Sequence, residues 1–369
     1  MGKNGNLITK AGTEIDQRRR DVAARLPKLK ADALLVSAPA NVRYLSDYTG
    51  SNGLVLILPS ETHFFTDPRY EISARQNIAG HVHIVKGPLI AGVIQVIKRK
   101  RLKKIGFESG WTQFDAYQRL KEGLPLSVSL VPVGRIIEER RMLKSPAEID
   151  TIRRSVNLNS EAFARVLKRI RPGVRELDVA AEIEFQMKML GAEKPSFDTI
   201  IAAGPHSALP HSHPTGHQIG ANELLLIDMG ASLEGYASDM TRVIHLGPPP
   251  KKIREMYRAV LEAQLAGIEA VREGTTAGKV DLATRNVLKK HKLDKAFVHS
   301  TGHGLGLEIH EPPRLGKKDK TRLQAGMAIT IEPGVYIEGL AGIRIEDTVL
   351  VTKNGCEVLT PTSKEFVHL

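Results

Sequence analysis

The sequence predicts two domains, an α/β domain over residues 1–143 and an α+β domain over residues 144–369 with an internal pseudo-twofold repeat. Three observations predict this. The 369 residues exceed the length at which one hydrophobic core usually stops growing. The first third alternates short apolar runs with helical stretches, the pattern of an α/β unit. The remainder passes twice through the order helix, helix, strands, a repeat of pattern and not of identical residues.

In the first domain the expected strands are Ala33 to Val36, Leu54 to Leu58, His63 to Thr66, Val82 to Val85 and Lys104 to Phe107. Ile94 to Arg101 and Trp111 to Lys121 have helical composition, so a small mixed sheet flanked by helices is expected. No phosphate-binding glycine loop accompanies it. Around Arg140 to Pro146 the periodicity lapses, and Ser145-Pro146 with Glu148 in the first turn opens a long helix. Its apolar positions Ile149, Ile152, Val156, Phe163, Val166 and Ile170 keep helical spacing until Pro172-Gly173. A second helix runs from Glu176 to Leu190, closed by Gly191. Strands are expected at Thr199 to Ala203, Glu223 to Gly230 and Ala237 to Leu246. The second pass places helices after Pro248-Pro249-Pro250 through Val271 and from Gly278 to His291. Its strands fall near Phe297, at Met327 to Tyr336 and at Ile343 to Val351.

Composition narrows the function classes. Hydrophobic residues make up 41% and charged residues 25%, and no apolar run approaches the roughly 20 residues that span a bilayer, so no membrane role is expected. Met1 to Lys10 lack the apolar stretch of a secretory signal, and Asn6 weakens a myristoylation reading of Met1-Gly2. The single cysteine, Cys356, suits a reducing compartment, and a cytoplasmic protein is expected. The net charge of +12 comes from runs at Lys98 to Arg101 with Lys103-Lys104, at Lys251-Lys252 and at Lys317-Lys318. No aromatics interleave them, so they read as solvated surface, and nucleic acid is not an expected partner.

The chemistry concentrates in the second domain. Asp228 sits within the apolar run Leu224-Leu-Leu-Ile-Asp-Met-Gly230, and Asp239 follows in Tyr236-Ala-Ser-Asp-Met-Thr-Arg242. A symmetric turn at Leu233-Glu234 would oppose the two carboxylates across a hairpin, with Cβ atoms about 5 Å apart. Two buried carboxylates that close demand a cation. Glu332 in Ile329-Thr-Ile-Glu-Pro-Gly334 and Glu346 in Gly342-Ile-Arg-Ile-Glu-Asp347 are equidistant from Gly339, so a second hairpin would oppose them in the same way. His303, in Ser300-Thr-Gly-His-Gly-Leu-Gly306, adds a nitrogen ligand on a segment whose glycines permit close approach. Four carboxylates and one imidazole favour Mn²⁺, Fe²⁺ or Co²⁺ over a closed structural zinc, and two ions fit such a set.

His211, His299 and His310 flank these residues and are candidates for orienting a carbonyl or a tetrahedral oxyanion, whereas His206, His213 and His217 read as surface loop residues. Arg344, two positions before Glu346, shares its strand face and is a candidate to hold ligand carboxylates.

With these residues in view, the second domain resembles the pita-bread metallopeptidases, the family of methionine aminopeptidase, aminopeptidase P, prolidase and creatinase. The resemblance runs from about Glu148 to the C-terminus and rests on the ordered set Asp228, Asp239, His303, Glu332 and Glu346. The preceding segments Asn41-Val-Arg-Tyr-Leu-Ser-Asp-Tyr-Thr-Gly50 and Phe65-Thr-Asp-Pro-Arg-Tyr70 are similar to the creatinase-type N-terminal domain, which methionine aminopeptidases lack. The full ligand set argues against creatinase activity and against a binding-only module. What the resemblance implies is a homodimeric Xaa-Pro aminopeptidase, or alternatively an Xaa-Pro dipeptidase (prolidase), using two divalent ions, with Mn²⁺ favoured and Co²⁺, Fe²⁺ or Zn²⁺ as alternatives. It casts Glu332 as ligand and proton shuttle, His211 and His310 as groups that steady the scissile carbonyl, and His299 with Arg344 as residues at the substrate pocket. Hydrolysis of a different amide by the same ions is the other enzymatic reading.

Overall fold

The computed structural model describes residues 5–369, with side chains from Glu14 onward; the reading of Met1-Gly2 lies outside the described residues. The chain divides into two compact units, Met1–Arg141 and Met142–Leu369.

The first unit is built on a six-stranded sheet in the order His81–Ile84, Thr62–Thr66, Gly53–Ile57, Ala33–Val36, Lys104–Glu108, Ser129–Val133. The sheet is mixed, since Ala33–Val36 pairs antiparallel with Gly53–Ile57 and parallel with Lys104–Glu108. Five of the six strands lie where the apolar runs place them. The sixth, Ser129–Val133, contains Pro132, which cannot donate to a ladder and accordingly sits on an edge. Helix Leu89–Arg99 starts after Pro88, five residues earlier than its composition predicts, and buries Ile90, Val93 and Ile97 against the sheet. Each such side chain contributes about 1.5–3 kcal/mol through burial. Two further helices, Gly5–Ala23 and Pro39–Ser46, have no counterpart in the sequence reading.

The second unit opens with helix Pro146–Leu167, whose start is a reciprocal capping box between Ser145 and Glu148. Helix Glu176–Met189 follows, then a four-stranded sheet in the order Val367–His368, Met240–His245, Leu224–Met229, Ile200–Ala203. The order then repeats. Helices Lys251–Ala270 and Ala277–Lys290 precede a five-stranded sheet in the order Glu311–Leu315, Gly302–Gly304, Ala328–Ile331, Asp347–Val351, Cys356–Val358. A separate hairpin joins Gly334–Ile337 to Ala341–Arg344.

Two expectations change. No strand forms at Phe297, where a 3₁₀ turn at Asp294–Ala296 buries the ring, and pairing begins at Gly302 instead. The runs Met327 to Tyr336 and Ile343 to Val351 are each two strands, interrupted at Glu332-Pro333 and at Ile345-Glu346. Pro333 has no N–H to give a ladder, which accounts for the first break. Among the described residues no helix is long and apolar enough to cross a membrane.

Candidate metal centre

Leu224–Met229 is buried at every position and pairs antiparallel with Met240–His245. The connecting turn is Glu234-Gly235, both in the left-handed region at φ 50° and 83°, the geometry a two-residue hairpin requires. The observed register sets Asp228 opposite Thr241 and Leu233 opposite Tyr236. The turn therefore centres one residue later than Leu233-Glu234, and Asp228 does not directly oppose Asp239. Because the offset is two residues, the side-chain alternation is preserved. Asp239 emerges in the interruption between Tyr236–Ala237 and Met240–His245.

The second hairpin keeps the predicted symmetry about Gly339. Ile331 pairs with Asp347 on one side and Gly334 with Arg344 on the other, which sets Glu332 opposite Glu346. His303 enters from Gly302–Gly304, where the backbone runs very close to its neighbours. A Cβ on Gly302 would stand 1.9 Å from the Thr330 carbonyl oxygen, and one on Gly304 2.3 Å from that of Pro312.

These placements bring the five predicted ligands together. Asp239, His303 and Glu346 each offer a ligand atom within 4.8 Å of the others. The His303 Nε2 lies 3.5 Å from Asp239 Oδ2 and 3.5 Å from Glu332 Oε1. Its Nδ1 is 3.0 Å from the Gly304 carbonyl, which only an N–H can satisfy. Burial lowers the His303 pKa and favours the neutral ring, which with Nδ1–H on that carbonyl turns the lone pair of Nε2 toward two carboxylates. That arrangement is repulsive unless a cation lies between them, and it is the orientation of an imidazole ligand. Two further oxygens, Asp228 Oδ1 and Glu346 Oε1, are buried without a hydrogen-bond partner.

The electrostatics agree. Burial raises the Asp239 and Glu346 carboxyls well above the ordinary range, and mutual repulsion adds to it. Burial moves Glu332 up to about 7, with the Asp228 charge adding to the shift and Arg344 opposing it. A hard divalent cation would relieve all three, so the donor set fits the metal pair that the sequence predicts.

Arg344 is buried behind the acids. Its Nη2 donates to Asp228 Oδ2 at 2.5 Å, its Nε to Thr241 Oγ1 at 3.0 Å, and its Nη1 to Tyr336 Oη at 2.5 Å and the Pro210 carbonyl at 3.3 Å. Thr241 in turn donates to Glu346 Oε2 at 2.7 Å. One guanidinium thus aims a carboxylate from each hairpin. His299 is engaged at both nitrogens, Nδ1 with the Ser300 carbonyl at 2.8 Å and Nε2 with Tyr336 Oη at 2.9 Å. Burial lowers its pKa to about 4, so it is neutral. His211 and His310 are both exposed, and the His310 ring stands edge to face with His303 at 4.4 Å between centroids.

The expectation that His206 is a surface residue is corrected. Its Nδ1 lies 3.0 Å from Glu176, a fully buried carboxylate that also accepts from the Ala203 and Thr215 backbone amides and so ties down the loop carrying His211. His213 and His217 are exposed as expected. Sequence reasoning missed Thr241, Tyr336 and Arg314. Arg314 is exposed and directly opposes His303 in the pairing of Gly302–Gly304 with Glu311–Leu315, so the two side chains share a face. The alternation exposed-inward along Glu311-Pro-Pro-Arg-Leu315 is the signal that could have found it.

Two carboxylate hairpins and one imidazole form a candidate centre for divalent metal ions, and comparison with known proteins supplies the class of enzyme. Residues 150–353 match metallopeptidase family M24, and residues 18–143 match the creatinase/prolidase N-terminal domain. The chain belongs to metallopeptidase family M24. It is 38% identical over 338 residues to an Xaa-Pro dipeptidase of Pyrococcus furiosus, covering 91% of this chain and 95% of that one. Among solved structures, it superimposes on an Xaa-Pro dipeptidase from Bacillus anthracis with a TM-score of 0.93 and 36% identity, covering 96% of this chain and 100% of that one. An X-Pro aminopeptidase from Thermotoga maritima gives a TM-score of 0.87 at 32% identity, covering 94% and 100%.

Proposed function

We propose that this chain hydrolyses the amide bond between an N-terminal residue and proline, with two divalent ions held by Asp228, Asp239, His303, Glu332 and Glu346. The observation that carries the reading is the convergence of His303 Nε2 on two carboxylates, 3.5 Å from each, beside buried oxygens of Asp228 and Glu346 that have no hydrogen-bond partner. When bound, such ions would polarise the scissile carbonyl and lower the pKa of a water molecule toward neutrality. Mn²⁺ is the ion we favour, with Co²⁺, Fe²⁺ and Zn²⁺ as alternatives.

The chain's own residues do the rest. Glu332 takes a proton from the attacking water and delivers it to the departing proline nitrogen. His310 and His211 donate to the oxygen that gains charge as the carbonyl carbon becomes tetrahedral. Arg344 and Thr241 hold Asp228 and Glu346 in line, and Tyr336 fixes His299 as a neutral wall of the pocket. Proline lacks an amide N–H, so a pocket that leaves no acceptor waiting for one admits it in preference to other residues. Residues 144–369 form the catalytic domain in this reading, residues 1–143 the second domain of a cytoplasmic homodimer.

A second reading, strict dipeptidase activity, is favoured by Arg314. An exposed guanidinium opposite His303 suits the free carboxylate of a two-residue substrate, and the relatives from P. furiosus and B. anthracis carry the dipeptidase name. The test is hydrolysis of Ala-Pro, Ala-Pro-Ala and Ala-Ala-Ala by metal-stripped protein resupplied with Mn²⁺, Co²⁺ or Zn²⁺, with Asp239→Ala as control. Cleavage of Ala-Pro-Ala marks an aminopeptidase, and cleavage of Ala-Pro alone a dipeptidase. No metal-dependent cleavage of any of the three sinks the proline-peptidase reading.

A further inference from the structure

His310 is exposed at the end of the loop Leu305–His310, yet its ring lies against His303. The loop is fastened by the next residue. Glu311 is buried, and its Oε1 accepts from the Glu308 amide at 3.1 Å, folding the loop back on itself. Its Oε2 accepts from Lys144 Nζ at 3.1 Å, and the two side chains of this pair are 2% and 1% exposed. The carboxylate nests against Gly306, where a Cβ would stand 2.8 Å from Oε2, and the Gly306 carbonyl accepts from the Ala237 amide at 2.8 Å. Lys144 is itself fixed. Its amide donates to the Gly326 carbonyl at 3.0 Å, and Ser145 beside it caps the helix Pro146–Leu167.

Taking two charges out of water is expensive, and an apolar pair of similar volume is often as stable or more so. Stability alone therefore gives no reason for an ion pair in this place. What the pair supplies is a single conformation of the Glu311 carboxylate, and through it of the loop whose last residue is His310. We propose that Lys144 and Glu311 are positioning residues that hold the His310 imidazole at the reacting carbonyl. The role at the carbonyl rests on the Xaa-Pro reading above; the ordering of the ring does not.

The double variant Lys144→Met/Glu311→Gln removes both charges of the pair together. It is expected to fold, with Mn²⁺ affinity by calorimetric titration kept within roughly twofold, because the bonds described for the pair run to each other and to the loop backbone and not to the four carboxylates and one imidazole. The kcat for Ala-Pro falls roughly 10- to 100-fold, the scale of a misplaced catalytic group, with KM nearly unchanged. The imidazole NMR signal of His310, assigned by His310→Ala, moves to that of a mobile ring. His310→Ala alone costs as much as the double variant, and the triple variant costs little more. Lys144→Arg, which keeps the charge, restores the signal and most of kcat.

Wild-type kcat in the folded double variant, an unmoved His310 signal, losses that multiply in the triple variant, or a Lys144→Arg loss as deep as that of the double variant each overturns the proposal. A wild-type protein that leaves Ala-Pro uncleaved overturns the reading of the function instead, and the His310 signal still decides whether the pair orders the ring.

Discussion

The two carboxylate hairpins look equivalent in the sequence and are built differently. In the second, Glu332 and Glu346 face each other across a register symmetric about Gly339. In the first, a two-residue turn at Glu234-Gly235 sets Asp228 against Thr241, and Asp239 leaves the ladder altogether. Each hairpin holds an acid of the other, since Arg344 of the second donates to Asp228 of the first and Thr241 of the first donates to Glu346 of the second. Pseudo-symmetric halves can thus offer equal numbers of carboxylates while aiming them by different means, a guanidinium from one half and a hydroxyl from the other, joined by the Arg344 Nε bond to Thr241.

The largest effect expected is at Asp239. Asp239→Ala removes a charge that His303 and Glu346 both face, and metal-dependent hydrolysis should fall about 10³-fold or more, read as kcat/KM together with bound metal by elemental analysis. Arg344→Met tests the dependence of one hairpin on the other. Metal affinity should drop roughly 10- to 100-fold with all five ligands intact, and an unchanged affinity would break the comparison. Chelation should lower the melting temperature by about 5–10 °C relative to the metal-loaded protein, by the linkage of binding to folding.

Sharpening the comparison by pH titration requires separating the first unit's own response. There His83 stacks on Phe65 and bonds His63, and burial lowers its pKa to about 4 from 6.5. The unfolded chain binds this proton first, so stability is intact above about 6.5 and is lost as pH falls toward 4. The loss should be on the order of 1–2 kcal/mol after allowance for partial exposure, and His83→Gln should flatten that limb in urea titrations between pH 7 and 4. The smallest effect is at the turns. Gly235→Ala and Gly339→Ala, at φ 83° and 72°, should each cost about 1 kcal/mol by urea unfolding, and the Gly235 change alone should disturb the pairing of Asp228 with Thr241.

The candidate ligands were legible because each sits in a short local context: an acid inside an apolar run, or a histidine between glycines that let strands close to within contact of Thr330 and Pro312. The register of the first hairpin was not, because it turns on Glu234 adopting a left-handed conformation that a non-glycine residue rarely takes. Thr241 and Tyr336 escaped for the same reason, since their importance exists only once Asp228 meets Thr241 and Arg344 meets both. His206 was misread because its partner Glu176 lies 30 positions away, beyond any periodic signal. In the first unit, strands announced by apolar runs were legible, whereas the helix Pro39–Ser46 is too short to show a face.

One guanidinium has a bearing on how the enzyme is made. Arg242 Nη1 donates to the Glu346 and Thr241 carbonyls, its Nη2 to Asp347 and the Thr362 carbonyl, and its Nε to the Ser363 carbonyl, while Lys364 donates to Asp347 at 2.6 Å. Residues 362–364 are translated after every candidate ligand. A chain that has been synthesised as far as Glu346 still lacks the groups that seat its backbone, since Thr362, Ser363 and Lys364 follow it by 16, 17 and 18 positions.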